Sequence, residues 1–197
     1  RVLPGFKPDS KLQVLLSMKD KAEILIAINS KDIIANRVRN DTGITYISEV
    51  ERLIDAYRDS GLFVSGVVFS FYENNPAVDT FYRKLNKSGV PVYKHYSIEG
   101  YPQNMKNVFG ETGFERNDYI NTTRPLVVVT APGPGSGKMA TCLSQLYHEN
   151  IKGIRAGYAK YETFPIWNLP LKHPVNLAYE AATADLHDVN MIDYYHL

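Results

Sequence analysis

Cysteine is nearly absent: Cys142 is the only one in 197 residues, which excludes an intrachain disulfide and a cysteine-rich zinc site and fits a reducing compartment. Long apolar runs are missing as well. No stretch approaches the roughly 18 residues that a membrane span requires, and the start has no charged region leading into an apolar one, so neither a membrane partner nor a secretory leader is expected. The cytoplasm is the default location. Charge of either sign is not in excess, with 22 Lys and Arg against 21 Asp and Glu and a formal net charge of +1. This argues against a nucleic-acid partner held by bulk electrostatics, although a local basic patch stays open. There is no internal repeat and no low-complexity linker. What remains is ordinary for a globular protein, 44% hydrophobic and 22% charged, and long enough to bury a core as one domain with a partial second one. The chain opens at Arg1 and closes on Tyr194, Tyr195, His196 and Leu197, and is expected to be a segment of a longer polypeptide. Association into a homo-oligomer is left open.

The stretch that carries chemistry is residues 126–150. LVVVT is β-branched and uncharged and predicts a strand buried on both faces of a parallel sheet. APGPGSGK follows, and then Met139, Cys142, Leu143 and Leu146 recur at helical spacing. A buried strand, a glycine-rich turn and a helix form the context in which backbone amides and a helix N-terminus hold a phosphate. Gly133, Gly135, Ser136, Gly137 and Lys138 are therefore the candidate binding residues: glycines for positive φ and close approach, and the lysine as a cation. The loop departs from the P-loop pattern G-x-x-x-x-G-K-[ST] twice. Pro132 stands where the first glycine belongs, so the loop from Gly133 is one residue short, and Met139 replaces the hydroxyl that would bind magnesium. A thioether is too soft for that ion. Thr141 lies about 200° further round the helix and does not replace the hydroxyl, whereas Ser136 is a candidate for that role. Any Mg²⁺ is expected to arrive through the ligand's own phosphates. The rival reading is a strand-to-helix turn with no ligand.

Along the rest of the chain, strands alternate with helices. A loop with Pro4, Gly5 and Pro8 leads to a helix capped by Asp9 or Ser10 and carrying Leu12, Leu15, Leu16 and Met18. A strand over residues 23–28 precedes a short helix capped by Ser30. Ile47, Val50, Leu53, Ile54 and Tyr57 form an amphipathic stripe closed by Gly61. A second strand over 62–71, a helix carrying Val78, Phe81, Tyr82 and Leu85, and a third strand over 90–96 complete the pattern. The alternation predicts a three-layer α/β/α fold on a mainly parallel sheet. Residues 97–125 break the rhythm, with a short helix expected over 105–109. A further strand is expected over 154–161. The domain reading is 1–163 for the α/β part and 164–197 for a proline-rich segment, with Trp167, and a helix starting at Pro174.

At the carboxyl edge of such a sheet Asn29, Ser30, residues 72–75, residues 95–97 and the glycine loop share one side, where ligands collect. Ser30 and Asn74 have an ordinary explanation as helix caps. Asp185, Asp188 and Asp193, near His187, Asn190 and His196, match no metal loop and are expected to be solvated, so no metal site is assigned. Lys160 and Glu162 fit a surface ion pair. Cys142 falls on the apolar stripe and fits core packing better than a reactive thiol.

The strings RPLVVVTAPGPGSGKMATCLSQLYHE, AGYAKYETFPIWNLPLKHPVNLAYEAATADL and DVNMID, with RVLPGF and DSKL near the start, resemble the N-terminal region of the bacterial domain of unknown function 1846 family. The resemblance spans nearly the whole chain and implies a bacterial, cytoplasmic α/β protein with an additional C-terminal part. No reaction and no catalytic residue come with it. The expectation for function is binding of a nucleotide or another phosphate-bearing small molecule at 133–138, with phosphoryl transfer as the first enzymatic class to test. The alternatives are an enzyme that holds a phosphorylated or carboxylated metabolite without hydrolysing a nucleotide, and a structural or assembly module.

Overall fold

In the computed structural model, residues 10–101 and 103–159 are described. The chain divides into two units, residues 1–158 and 159–197. The expected boundary at residue 163, Trp167, the Pro174 helix, the ion pair Lys160 and Glu162, and the 185–196 acidic group lie outside the described residues.

The elements follow in the order α1 (Ser10–Ser17), β1 (Ala22–Asn29), α2 (Ser30–Ile34), α3 (Tyr46–Asp59), β2 (Phe63–Ser70), α4 (Pro76–Lys87), β3 (Val92–Lys94), α5 (Met105–Val108), β4 (Leu126–Thr130) and α6 (Lys138–Ile151). A single 3-10 turn, Phe114–Arg116, lies between α5 and β4. The four strands form one all-parallel sheet in the order β3-β2-β1-β4. Alternation along β1 feeds two cores. Ile24, Ile26 and Ile28 pack with Ile33, Val50, Ile54, Val78, Phe81 and Leu85 under α2, α3 and α4, while Leu25 joins Val68 and Ile120 on the opposite face. The fold is three-layered, as the alternation predicts.

Several local expectations are corrected by what the caps touch. Asn29, not Ser30, caps α2, because its Oδ1 accepts from the Lys31 amide at 2.9 Å. Asn75, not Asn74, caps α4 through the Ala77 amide. Thr45 caps α3, and Gly61 follows that helix with φ +78°. The third strand is shortened to Val92–Lys94. Residues 154–159 are irregular and exposed, so the further strand expected from 154 does not form over the described part. β4 is parallel as expected but only half-buried, since among the described strands it pairs with β1 alone and stands at the sheet edge.

The long connection 97–125 runs over the second face, where Ile120 enters the core. It is held by side-chain bonds to backbone: Tyr96 N donates to Asn117 Oδ1 at 2.8 Å, Ile120 N to Gln145 Oε1 at 3.1 Å, and Thr123 N and Oγ1 with Arg124 N to Glu23 Oε2 at 2.9–3.1 Å. These partners explain why α6 turns a polar face inward. Thr141, Ser144 and Glu149 are its buried residues, Asn117 Nδ2 donates to Ser144 Oγ at 2.9 Å, and Met139 of the anticipated apolar stripe is 55% exposed. Half-buried Gln145 of this helix supplies partners for both backbone groups of Ile120, whereas Thr141 Oγ1 is buried with no partner among the described residues.

β2 carries one irregularity that the sheet needs. Ile24 pairs with Val64 and Leu25 with Gly66, so Ser65 is an extra residue, and its Oγ donates to Ile24 O at 3.1 Å. A Cβ on Gly66 would lie 2.9 Å from both Pro91 O and Tyr93 Cε2. Gly66→Ala is therefore expected to destabilise the fold by about 1–3 kcal/mol through overpacking against β3. Urea unfolding checks this, and a variant as stable as the parent would show that β3 gives way freely.

Candidate functional site

β2 and β3 are added on one side of β1, and the chain then crosses back to lay β4 on the other. This reversal of direction puts the topological switch point, where open α/β sheets bind ligands, at the carboxyl ends of β1 and β4. Residues 131–137 follow β4 there. They turn at Pro134 and Gly135, with Gly135 at φ +74°, the residue pattern of a type II turn, and Gly137 enters α6 at φ +82°.

Three carbonyls of the loop are taken by side chains. Asn29 Nδ2 donates to Gly135 O at 3.2 Å and Ser70 Oγ to Ser136 O at 2.9 Å, so the ends of β1 and β2 both grip the loop. Ser136 Oγ donates to Gly133 O at 2.9 Å, and Lys138 Nζ lies 3.4 Å from the same oxygen. Among the described residues, the amides of Gly135, Gly137, Met139 and Ala140 donate to no protein acceptor by standard geometry. Unmatched amides beside a helix N-terminus carry partial positive charge.

The sequence-selected residues are thus brought together, with different duties. A Cβ on Gly133 would collide with the Tyr46 hydroxyl, and one on Gly137 would lie 2.7 Å from Ser70 Cβ, so close packing accounts for both glycines. Gly135 has open space where a Cβ would be and is needed only for its positive φ. Ser136 is buried and its hydroxyl braces the loop from within, which removes it as the substitute magnesium ligand. Tyr46, Ser70 and Asn29's role as a tether had no signal in the sequence, because each lies at least 60 residues from the loop it touches.

The strand beside the loop's own strand also bears on metal chemistry. β1 ends its apolar run at Asn29, an amide whose Oδ1 and Nδ2 are both engaged, instead of a carboxylate. Asp32 follows in α2, paired with Arg37 at 3.1 Å, and the same Arg37 lies 4.9 Å over the Tyr46 ring. Among the described residues no group of three His, Cys, Asp or Glu side chains is placed to hold a metal. Burial pushes the Cys142 thiol up, against activation at the helix start. No described helix is long and apolar enough to cross a membrane.

At the other end of the same edge His95 is buried, its Nε2 3.1 Å from Asp118 O. A carbonyl only accepts, so Nε2 carries the proton of the neutral ring. Burial pushes His95 down to about 4 from its ordinary 6.5, and His148 acts in the same direction. The unfolded chain therefore takes up this proton first as pH falls. The stabilisation is complete above about 6.5 and is lost toward about 4, by roughly 1.4 kcal/mol per pH unit and about 3 kcal/mol in all. His95→Gln, which keeps a donor for Asp118, is expected to flatten that slope in urea unfolding between pH 7 and pH 5. An unchanged slope would assign it to other groups.

Comparison with known proteins gives a family and no reaction. The family model described as domain of unknown function DUF1846, N-terminal, matches residues 1–197. A UPF0371 protein of Streptococcus pneumoniae serotype 2 (strain D39 / NCTC 7466) is 57% identical over 197 residues, covering 100% of this chain and 40% of the relative. A UPF0371 protein of strain ATCC BAA-255 / R6 gives the same 57% and 40%, and one of strain Hungary19A-6 is 56% identical over the same 197 residues and 40% of its length. The chain thus spans about two fifths of the curated relatives it matches.

Proposed function

The chain belongs to the DUF1846 family, and for this N-terminal region we propose binding of a phosphate-bearing small molecule, a nucleotide first, at residues 131–138. One observation carries the reading: side-chain donors occupy the carbonyls of Gly133, Gly135 and Ser136, while the amides of Gly135, Gly137, Met139 and Ala140 are left unmatched among the described residues. Such a set of amides at the start of a 14-residue helix suits an anion. Lys138, in the first turn, adds a cation. If the family's activity is enzymatic, phosphoryl transfer is the first class to test, with the amides and Lys138 stabilising charge on phosphate oxygens.

A second reading is favoured by what stands at the two metal positions. A Walker-type site takes Mg²⁺ through the hydroxyl after the lysine and a carboxylate from another strand, whereas here Met139 follows the lysine and β1, the strand paired with β4, ends at Asn29. This supports an enzyme that holds a phosphorylated or carboxylated metabolite without hydrolysing a nucleotide. Calorimetric titration with ATP, with and without Mg²⁺, against a panel of phosphorylated metabolites separates the readings. No binding by any of them would leave the loop as a chain turn.

Lys138→Ala is expected to weaken the phosphate ligand by about 1.5–3 kcal/mol, the range for a charged hydrogen bond, with little change in stability. An unaltered dissociation constant on a folded variant would put the lysine outside the site. Met139→Ser restores a hydroxyl but not the missing loop residue, and is expected to confer little ATPase activity. A large gain of Mg²⁺-dependent hydrolysis would instead show that the shorter loop has Walker geometry.

A further inference from the structure

The two edges of the sheet are unlike. β3 is three residues long, follows Pro91 and ends on Lys94, all of which guard an open edge against further pairing. β4 has no such guard: Leu126–Thr130 carries neither a charge nor a proline, and among the described residues it pairs with β1 alone. Three consecutive valines are the chemistry of a strand enclosed on both sides. The handedness of the chain says where the missing neighbour lies. β1, β2 and β3 advance in one direction with α2, α3 and α4 packed on one face. α6 belongs to the other face, where Ser144 and Gln145 bond Asn117 and Ile120, and Ile120 enters the second core. Parallel crossovers are right-handed, so a helix on the opposite face leads to a strand in the opposite direction, outside β4. The chain is in place to supply it. The 14 residues of α6 rise about 21 Å, more than the roughly 17 Å of a five-residue strand, so the helix returns the chain to the amino edge. There Gly153 turns at φ +72° and Ile154 N donates to Glu149 O at 2.9 Å, a glycine-closed connection of the kind that leads from a helix into a strand. Residues 154–158 read Ile-Arg-Ala-Gly-Tyr, apolar at alternate positions, and Ile154 is 49% exposed. They are irregular in this structure, so edge and segment are two halves of a pairing that it does not contain.

We propose that the outer edge of β4 is a docking surface for the chain's own residues 154–158, which join it as a fifth, parallel strand. A second copy of the chain could meet the same edge, but neither the face taken by α6 nor the glycine turn at 153 would then have a use. The inference is independent of whether the loop after β4 holds a ligand. In a parallel ladder alternate residues direct their N–H and C=O to opposite neighbours. One alternate set of β4 residues therefore bonds β1, and the other set is left for residues 154–158.

Amide hydrogen exchange on the full chain, resolved by residue with NMR, reads the two sets separately. Both sets of β4 amides, and alternate amides of residues 154–158, are expected to exchange at least about a hundredfold more slowly than in the unfolded chain. Dilution by about tenfold is expected to change neither set. Ala156→Pro and Gly157→Pro each remove one donor from the middle of the segment, and one of the two donors faces β4. At least one of these variants is expected to speed exchange of the outer set by about tenfold or more, while the set bonded to β1 stays within about twofold and so reports an intact fold. Slow exchange confined to the set bonded to β1 in the parent would overturn the proposal. Slow exchange of both sets that is lost on dilution would overturn it by giving the edge to a second copy. Slow exchange of both sets that survives both proline variants would overturn it by giving the edge to another segment.

Discussion

Two side-chain amide and hydroxyl donors, Asn29 Nδ2 and Ser70 Oγ, hold the carbonyls of Gly135 and Ser136, and the shape of the carboxyl edge depends on this grip. A glycine-rich loop is otherwise the part of an α/β domain with the most conformational freedom to lose. Capturing these carbonyls fixes the peptide planes they share with the amides of Ser136 and Gly137. The same contacts join the ends of β1 and β2 to the start of α6 and place Phe71, next in sequence to Ser70, against Gly137.

The second face is built on a different economy. Residues 117–124 run irregularly over the sheet, with Asn117 and Ile120 buried and Asp118, Asn121 and Thr123 exposed. Gln145 on α6 bonds the backbone of Ile120 and Glu23 on β1 the amides of Thr123 and Arg124, while Asn117 of the segment in turn accepts from Tyr96 N. Gln145 serves both the N–H and the C=O of Ile120, which is why Ile120 can enter the core while its neighbours remain in a non-repetitive segment. On the first face, Glu49 is buried between Arg39 and Arg52, with contacts of 2.7 Å to each, and so a carboxylate is carried into the packing of α3 at the cost of two fixed arginines. Buried ion pairs of this kind add little net stability but penalise any arrangement that separates them.

Much of this architecture was legible in the residues. Apolar, β-branched runs located the four described strands and the 3.6 period the main helices, because strands buried on both faces read as continuous apolar runs, although the further strand expected over 154–161 does not form in its described part. The LVVVT-loop-helix transition was legible for the same reason, together with the glycines and prolines that only a few turns accept. Cap identity at Asn29 and Asn75 was not. Neighbouring Ser30 and Asn74 have the same chemistry, and one residue's difference in where a strand ends decides between them. The inward polar face of α6 was also misread. Its apolar residues do recur at helical spacing, but the face that turns inward was chosen by the hydrogen-bonding demand of residues 117–120, more than 20 positions earlier in the chain.

The sequence by itself determined an α/β layering, a glycine loop between the fourth strand and its helix, and the loss of a hydroxyl at Met139, since each follows from local periodicity or residue chemistry. Only the tertiary structure decided what the glycines are for. Gly133 is fixed by Tyr46 and Gly137 by Ser70, contacts between residues 87 and 67 positions apart in sequence, so no local pattern encodes them. The same holds for Ser136, a free hydroxyl in the sequence and an internal brace in the fold. The loop sits where the strand order reverses, and strand order is set by long-range packing of whole elements.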